Sequence, residues 1–123
     1  MKLVIKDQLE VFGLKPQALP KEKDEPAEAP VRYQSYVDSL INNLHAVMNL
    51  ANKEGLSMAD TIRMQDAFSR MKKGADAGLD EVELKEEDAS MFRKALENAK
   101  MDGAFYKVAN LLYYLFGLRG LPE

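Results

Sequence analysis

The stretch Ala104-Phe105-Tyr106-Lys107-Val108-Ala109-Asn110-Leu111-Leu112-Tyr113-Tyr114-Leu115-Phe116 decides how the rest of the chain is read. Wound as a helix, it puts Phe105, Val108, Leu112, Leu115 and Phe116 on one face, while Tyr106, Tyr113 and Tyr114 carry apolar surface round the sides. A helix with one apolar stripe needs one neighbour. A helix apolar nearly all round needs several, so either the chain wraps it or another protein completes its cover. A membrane span is the competing reading, but it requires about 20 apolar residues, and Lys107 and Asn110 interrupt a run shorter than that.

Working outward, Asp102-Gly103 separates this helix from the one before it, whose buried side should be Ala89, Phe92, Leu96 and Ala99, flanked by Met91 and Ala95. That helix should begin near Glu86, because Glu86, Glu87 and Asp88 gather where the positive end of the helix dipole favours carboxylates. Val82 and Leu84 alternate with Glu81, Glu83 and Lys85, the pattern of a short extended rung. Further upstream, Ser57-Met58-Ala59-Asp60 has the spacing of a capped helix start, followed by an inner face of Thr61, Met64, Phe68 and Met71, supplemented by Ile62 and Ala67, and a predicted stop at Gly74. Tyr33, Val37, Leu40, Ile41, Leu44, Val47, Met48 and Ala51 define an earlier helix, predicted from Pro30 to about Lys53 and ended by Gly55. Gly117 closes the last helix and leaves 118–123 as a tail.

The first thirty residues read differently. Leu3, Ile5, Leu9 and Val11 alternate in places over 1–12, as a small hairpin or two extended pieces would; an isolated hairpin is marginal in water, so this arm must lie on the helical body or on another protein to be ordered. From Gly13 to Pro30 four prolines punctuate a charged run, which predicts a stiff, solvated linker over 13–30. The expected architecture is mainly all-α: a helical domain over 31–117, with four helices, preceded by an extended arm on a Pro-rich tether. The arm's Leu3, Ile5, Leu9 and Val11, with Tyr106, Tyr113 and Tyr114 of the last helix, are the candidate partner-binding residues.

Composition bounds the chemistry. The 123 residues suit one core, 46% of them are apolar, and seven Met with no Trp favour adaptable packing and contact surfaces. With no Cys there is no disulfide, thiolate zinc site or thiol nucleophile, which fits a reducing compartment. The run near Met1 is too short for a signal-peptide core, so the expected location is the cytoplasm. Net charge is −3, and residues 75–102 carry nine acids against four bases, a segment that would repel a phosphate backbone. Nucleic acid is therefore an unfavourable partner.

Residues 71–84 lie between two helices, as a calcium loop would, but aligning Gly78 with the required glycine puts Lys73, Ala75 and Ala77 at the first three ligand positions. His45 is the only histidine, so a histidine-based metal or catalytic site has no second member. No phosphate-binding loop or nucleophile elbow occurs. These features predict a protein with no cofactor, no metal and no enzymatic activity. A helix-turn-helix around Gly55-Leu56-Ser57 would present Met58, Ala59, Asp60 and Arg63 to DNA, a poor set for reading bases.

From Thr61 to Phe116 the order is a helix, the acidic step Glu81-Val82-Glu83-Leu84-Lys85-Glu86-Glu87-Asp88, a helix with Phe92 and Leu96, and a final apolar helix. This order resembles small helical accessory proteins of tailed bacteriophages. The proline-rich segment, the long helix from Tyr33, and Lys85 in place of a serine or threonine cap depart from that pattern. The resemblance implies a non-enzymatic binding role in virion assembly, as an assembly chaperone or a minor structural component, in the host cytoplasm or incorporated into the virion, with a phage structural protein or a second copy of the chain as partner. Two other functions are compatible with the residues: an acidic regulator of a host nucleic-acid-handling protein, acting through the strip from Asp76 to Asp88, and a DNA binder using the first helix pair.

Overall fold

Ser35 and Ser57 start the two long helices in the same way: each sits in extended backbone, and its hydroxyl accepts a backbone N–H three residues on, from Asp38 and Asp60 respectively, at 3.1 Å. The computed structural model describes residues 1–121. Among them, strand β1 (Lys2–Val4) and a 3-10 turn (Glu10–Phe12) precede α1 (Tyr36–Ala51) and α2 (Met58–Asp76). Strand β2 (Glu81–Glu83), α3 (Glu86–Asn98), a second 3-10 turn (Gly103–Phe105) and α4 (Tyr106–Leu115) follow. The fold is mainly helical, with one two-stranded antiparallel sheet in which Leu3 stands opposite Val82.

That sheet puts the arm on the helical body rather than on another protein at the end of a tether. Leu3 (0% exposed), Ile5 and Leu9 are buried in the same core as the helices, and Phe12 joins them, its ring 5.5 Å from that of Tyr114. The physical reason is the extended rung at Val82: it offers an open edge, and the alternating residues of β1 meet it while turning Leu3 inward. The segment expected as a stiff tether also folds back on itself. Ala18 and Tyr33 form an antiparallel bridge, the Leu19 N–H donates to the Arg32 carbonyl at 2.8 Å, and the Gln34 N–H donates to the Gln17 carbonyl at 2.8 Å. Inside this closed loop Arg32 pairs with Glu25 at 2.6 Å.

Two helix ends differ from expectation. Helix α1 begins at Tyr36 rather than Pro30, because Ser35 caps it, and Tyr33 lies outside it, exposed. Helix α2 passes through Gly74 and ends at Asp76, and the Gly78 and Leu79 amides close it by donating to the Ala75 and Gly74 carbonyls. Gly74 is there for room. A Cβ at this position would lie 2.2 Å from Val82 Cγ1 and 3.1 Å from Ile5 Cδ1, so the missing side chain is what lets the sheet lie on α2. Thr61 and Ile62, expected on the inner face of α2, are exposed, and the buried face is Met64, Ala67, Phe68 and Met71.

The core is continuous from the sheet to α4. A row of rings, Phe68, Phe92 and Phe116, crosses it with centroids 5.9 and 5.5 Å apart, joining α2, α3 and the C-terminal end of α4.

Candidate functional site

Helix α3 stops at Asn98 because the backbone of Ala99 is extended, and Asp102 then starts a new element by accepting the Ala104 N–H at 2.9 Å. One 3-10 turn intervenes before α4. That tighter winding advances the phase of Phe105, which leaves the inner face assigned to it and becomes 52% exposed beside Tyr106, 59% exposed. The inner face of α4 is instead Leu111, Leu112 and Leu115, continued by Phe116. The opening half of the most apolar stretch in the chain is thus wetted, and its closing half is sealed.

The far end of α4 is shaped by Gly117, whose φ of 74° reverses the chain. The Leu118 N–H donates to the Tyr113 carbonyl at 2.8 Å and the Gly117 N–H to the Tyr114 carbonyl at 3.1 Å. The reversal runs the tail back along the helix and brings Arg119 Nη1 to Asn110 Oδ1 at 2.9 Å. Between this returning tail and the Asp102 turn lies a groove of about 330 Å³. Its floor is apolar, made by half-buried Ala99, Met101 and Ala109 over buried Val47, Leu96 and Leu112, and its exposed rim carries Asp102, Phe105, Tyr106 and Arg119. The Tyr113 hydroxyl donates to the Leu96 carbonyl at 3.2 Å, which fixes one wall.

The residues expected to bind a partner are thereby divided. Tyr106 and Tyr113 come together in the groove, whereas Tyr114 packs against Phe12 elsewhere on α4. Leu3, Ile5 and Leu9 are core side chains, a correction to their assignment as contact residues, and Val11 is 53% exposed but stands apart from the groove. Sequence reasoning missed Phe105, Asp102 and Arg119. The signal for the first two was the Asp-Gly pair that starts a turn. Arg119 had none, since its position depends on the Gly117 reversal.

The other candidates are now placed. In the acidic strip, Glu81 pairs with Lys2 (3.7 Å), Glu83 with the Met1 amine (3.0 Å), Glu86 with Arg93 (2.8 Å) and Glu87 with Arg63 (3.9 Å). The Arg93 hydrogen bond and charge hold the exposed Glu86 carboxyl below its ordinary range. Asp88 is 2% exposed with Oδ2 unpartnered, and burial, reinforced by the Glu87 charge, pushes its carboxyl up. Tyr36 is likewise buried with an unpartnered hydroxyl, and burial pushes that phenol above its usual value. Arg63, at the start of α2, also pairs with Asp60 at 3.2 Å. Helix α2 takes up Gly74 to Asp76, so only Ala77 to Asp80 separate it from β2. Among the described residues no group of three or more His, Asp or Glu is placed to hold a metal ion, and no helix is long and apolar enough to cross a membrane. His45 is exposed on α1.

No protein-family model, curated protein or solved structure matches the chain.

Proposed function

We propose that this chain is a non-enzymatic protein-interaction module that works through the groove between α3 and α4, in the assembly of a tailed-phage virion inside the host cytoplasm. The observation that carries the binding role is the rim: Phe105 and Tyr106 stand more than half exposed beside an apolar floor, with Arg119 next to them. Aromatic side chains and arginine round an apolar depression are the composition of interface centres, and large exposed rings gain most from being covered. The phage setting rests on the resemblance of 61–116 alone.

The two other functions have less support. An acidic regulator needs a row of available carboxylates; Asp76 and Asp80 are exposed, but Glu81, Glu83, Glu86 and Glu87 each have a basic partner and Asp88 is buried, so the row is interrupted. A DNA reader needs Arg63, which is held between Asp60 and Glu87.

Photo-crosslinking residues placed singly at Phe105, Tyr106 and Met58 in the producing cell test the reading. Met58 is 83% exposed and apolar but lies at the start of α2, off the groove, so it serves as the control. Adducts should concentrate at Phe105 and Tyr106. Adduct yields no higher there than at Met58 would remove the groove as the working surface.

A further inference from the structure

We propose that the occupant of the groove is a second copy of this chain, related by a twofold axis, with Phe105 of each copy seated on the other's floor and Asp102 of each facing Arg119 of the other. This rests on the reading of the groove as a protein-docking surface and names its partner.

The groove and its rim are self-complementary. A surface that docks on a different protein needs only one half of each matching pair, a knob or a hole, a cation or an anion. This groove carries both halves of each. Phe105 is a ring 52% exposed, and directly beside it lies a depression of about 330 Å³, surfaced by half-buried Ala99, Met101 and Ala109 over buried Val47, Leu96 and Leu112, with room for one aromatic side chain. Asp102 and Arg119 lie on the same rim. In a twofold interface residue i of one copy meets residue j of the other and j meets i, so a patch bearing both members of each pair satisfies itself twice over.

The charged pair also retains capacity. Asp102 accepts the Ala104 N–H through Oδ1, and its carboxylate has a second oxygen. Arg119 gives Nη1 to Asn110, and a guanidinium has further N–H groups that suit a carboxylate. Both side chains are exposed. On an open rim the pair adds little binding energy, and its effect is to set orientation and exclude the wrong register.

Sedimentation equilibrium of the full chain across the micromolar range reads the proposal. The unmodified chain should show a species of twice the chain mass. Phe105→Ala should weaken self-association at least ~10-fold, as loss of a central aromatic anchor does, whereas Met58→Ala should leave it unchanged. Arg119→Glu and Asp102→Lys should each weaken the twofold species, since each places like charges opposite one another. An equimolar mixture of the two should restore it, because both cross-pairs are then opposite in sign. Urea unfolding of each variant verifies that it is folded.

A chain that stays monomeric across the range, or a self-association unaffected by Phe105→Ala, overturns the proposal. So does a mixture of the folded charge variants that remains monomeric. The crosslinking result separates this failure from that of the underlying reading. Adducts at Phe105 and Tyr106 with a different protein, from a chain that is itself monomeric, sink the twofold and leave the groove standing. Absence of adducts there sinks both.

Discussion

The N-terminal arm is buried more deeply than its sequence suggests, and the start of the last helix less. The arm, a dozen residues with scattered apolar positions, contributes Leu3, Ile5, Leu9 and Phe12 to the core. Helix α4, the most apolar stretch, leaves Phe105 and Tyr106 in water at its start. Apolar spacing shows which side chains want cover, but the supplier of that cover is a property of the tertiary arrangement. For the arm the supplier is β2 and the face of α2 around Gly74. For the start of α4 the chain supplies only a floor.

The strongest way to break this contrast is truncation at its two ends. Leu3→Ala and Leu112→Ala, both at 0% exposure, should each cost about 2–5 kcal/mol of folding stability in urea titrations. A Leu3→Ala variant near wild-type stability would return the arm to the status of an accessory. Gly74→Ala comes next. The clash with Val82 should cost about 1–3 kcal/mol, and Gly74→Ala combined with Val82→Ala should recover part of it, since the close contact is with that side chain. If the double variant is no better than Gly74→Ala alone, the sheet is not what crowds this position.

A pH series sharpens the comparison on the sealed side, where Asp88 lies two turns before the Leu96 floor on α3. Burial raises its carboxyl, so the folded state holds that proton more tightly than the unfolded chain does. The protein therefore gains stability from this residue as pH falls from neutral through the raised value, and the gain is complete below the ordinary aspartate value of about 3.9. Glu86 runs the other way: its carboxyl is lowered, so the stability it brings is present above the ordinary glutamate value and is lost as pH falls. Relative to Asp88→Asn, the wild type should gain stability as pH is lowered, measured as the difference in urea midpoints. A difference independent of pH would mean that Asp88 is solvated.

The smallest expected effect is the most specific. Tyr106→Ala should change folding stability by no more than about 0.5 kcal/mol, because its ring stands 59% exposed, while reducing crosslinking and self-association through the groove. Equal stability losses at Tyr106 and Leu112 would erase the division of α4 into a wetted and a sealed half.

Much of the architecture was legible because its signals are local. Ser57 with Asp60, the acidic opening at Glu86 and the alternation around Val82 each lie within a few residues of what they specify. The start of α1 was legible but misread: Pro30 marks a possible first turn, yet Ser35 with Asp38 is the cap the backbone uses. Gly74 was ambiguous in principle, since a glycine late in a helix fits both a stop and a close approach, and only the distant Val82 decides between them. The same holds for the Pro-rich segment, whose closure depends on Ala18 meeting Tyr33 across the loop. The groove was half visible. Tyr106 and Tyr113 stood out by composition, but the exposure of Phe105 follows from one 3-10 turn, and the place of Arg119 follows from a chain reversal.

The pairing of Lys2 with Glu83 has a kinetic consequence. The strand made first must wait for one encoded most of the way along the chain, so closing that large loop belongs to the late, slow part of folding. Until then Leu3 and Ile5 lack the β2 edge that holds them on the core, and a nascent or stalled chain would present them as a ready handle for a chaperone or a protease.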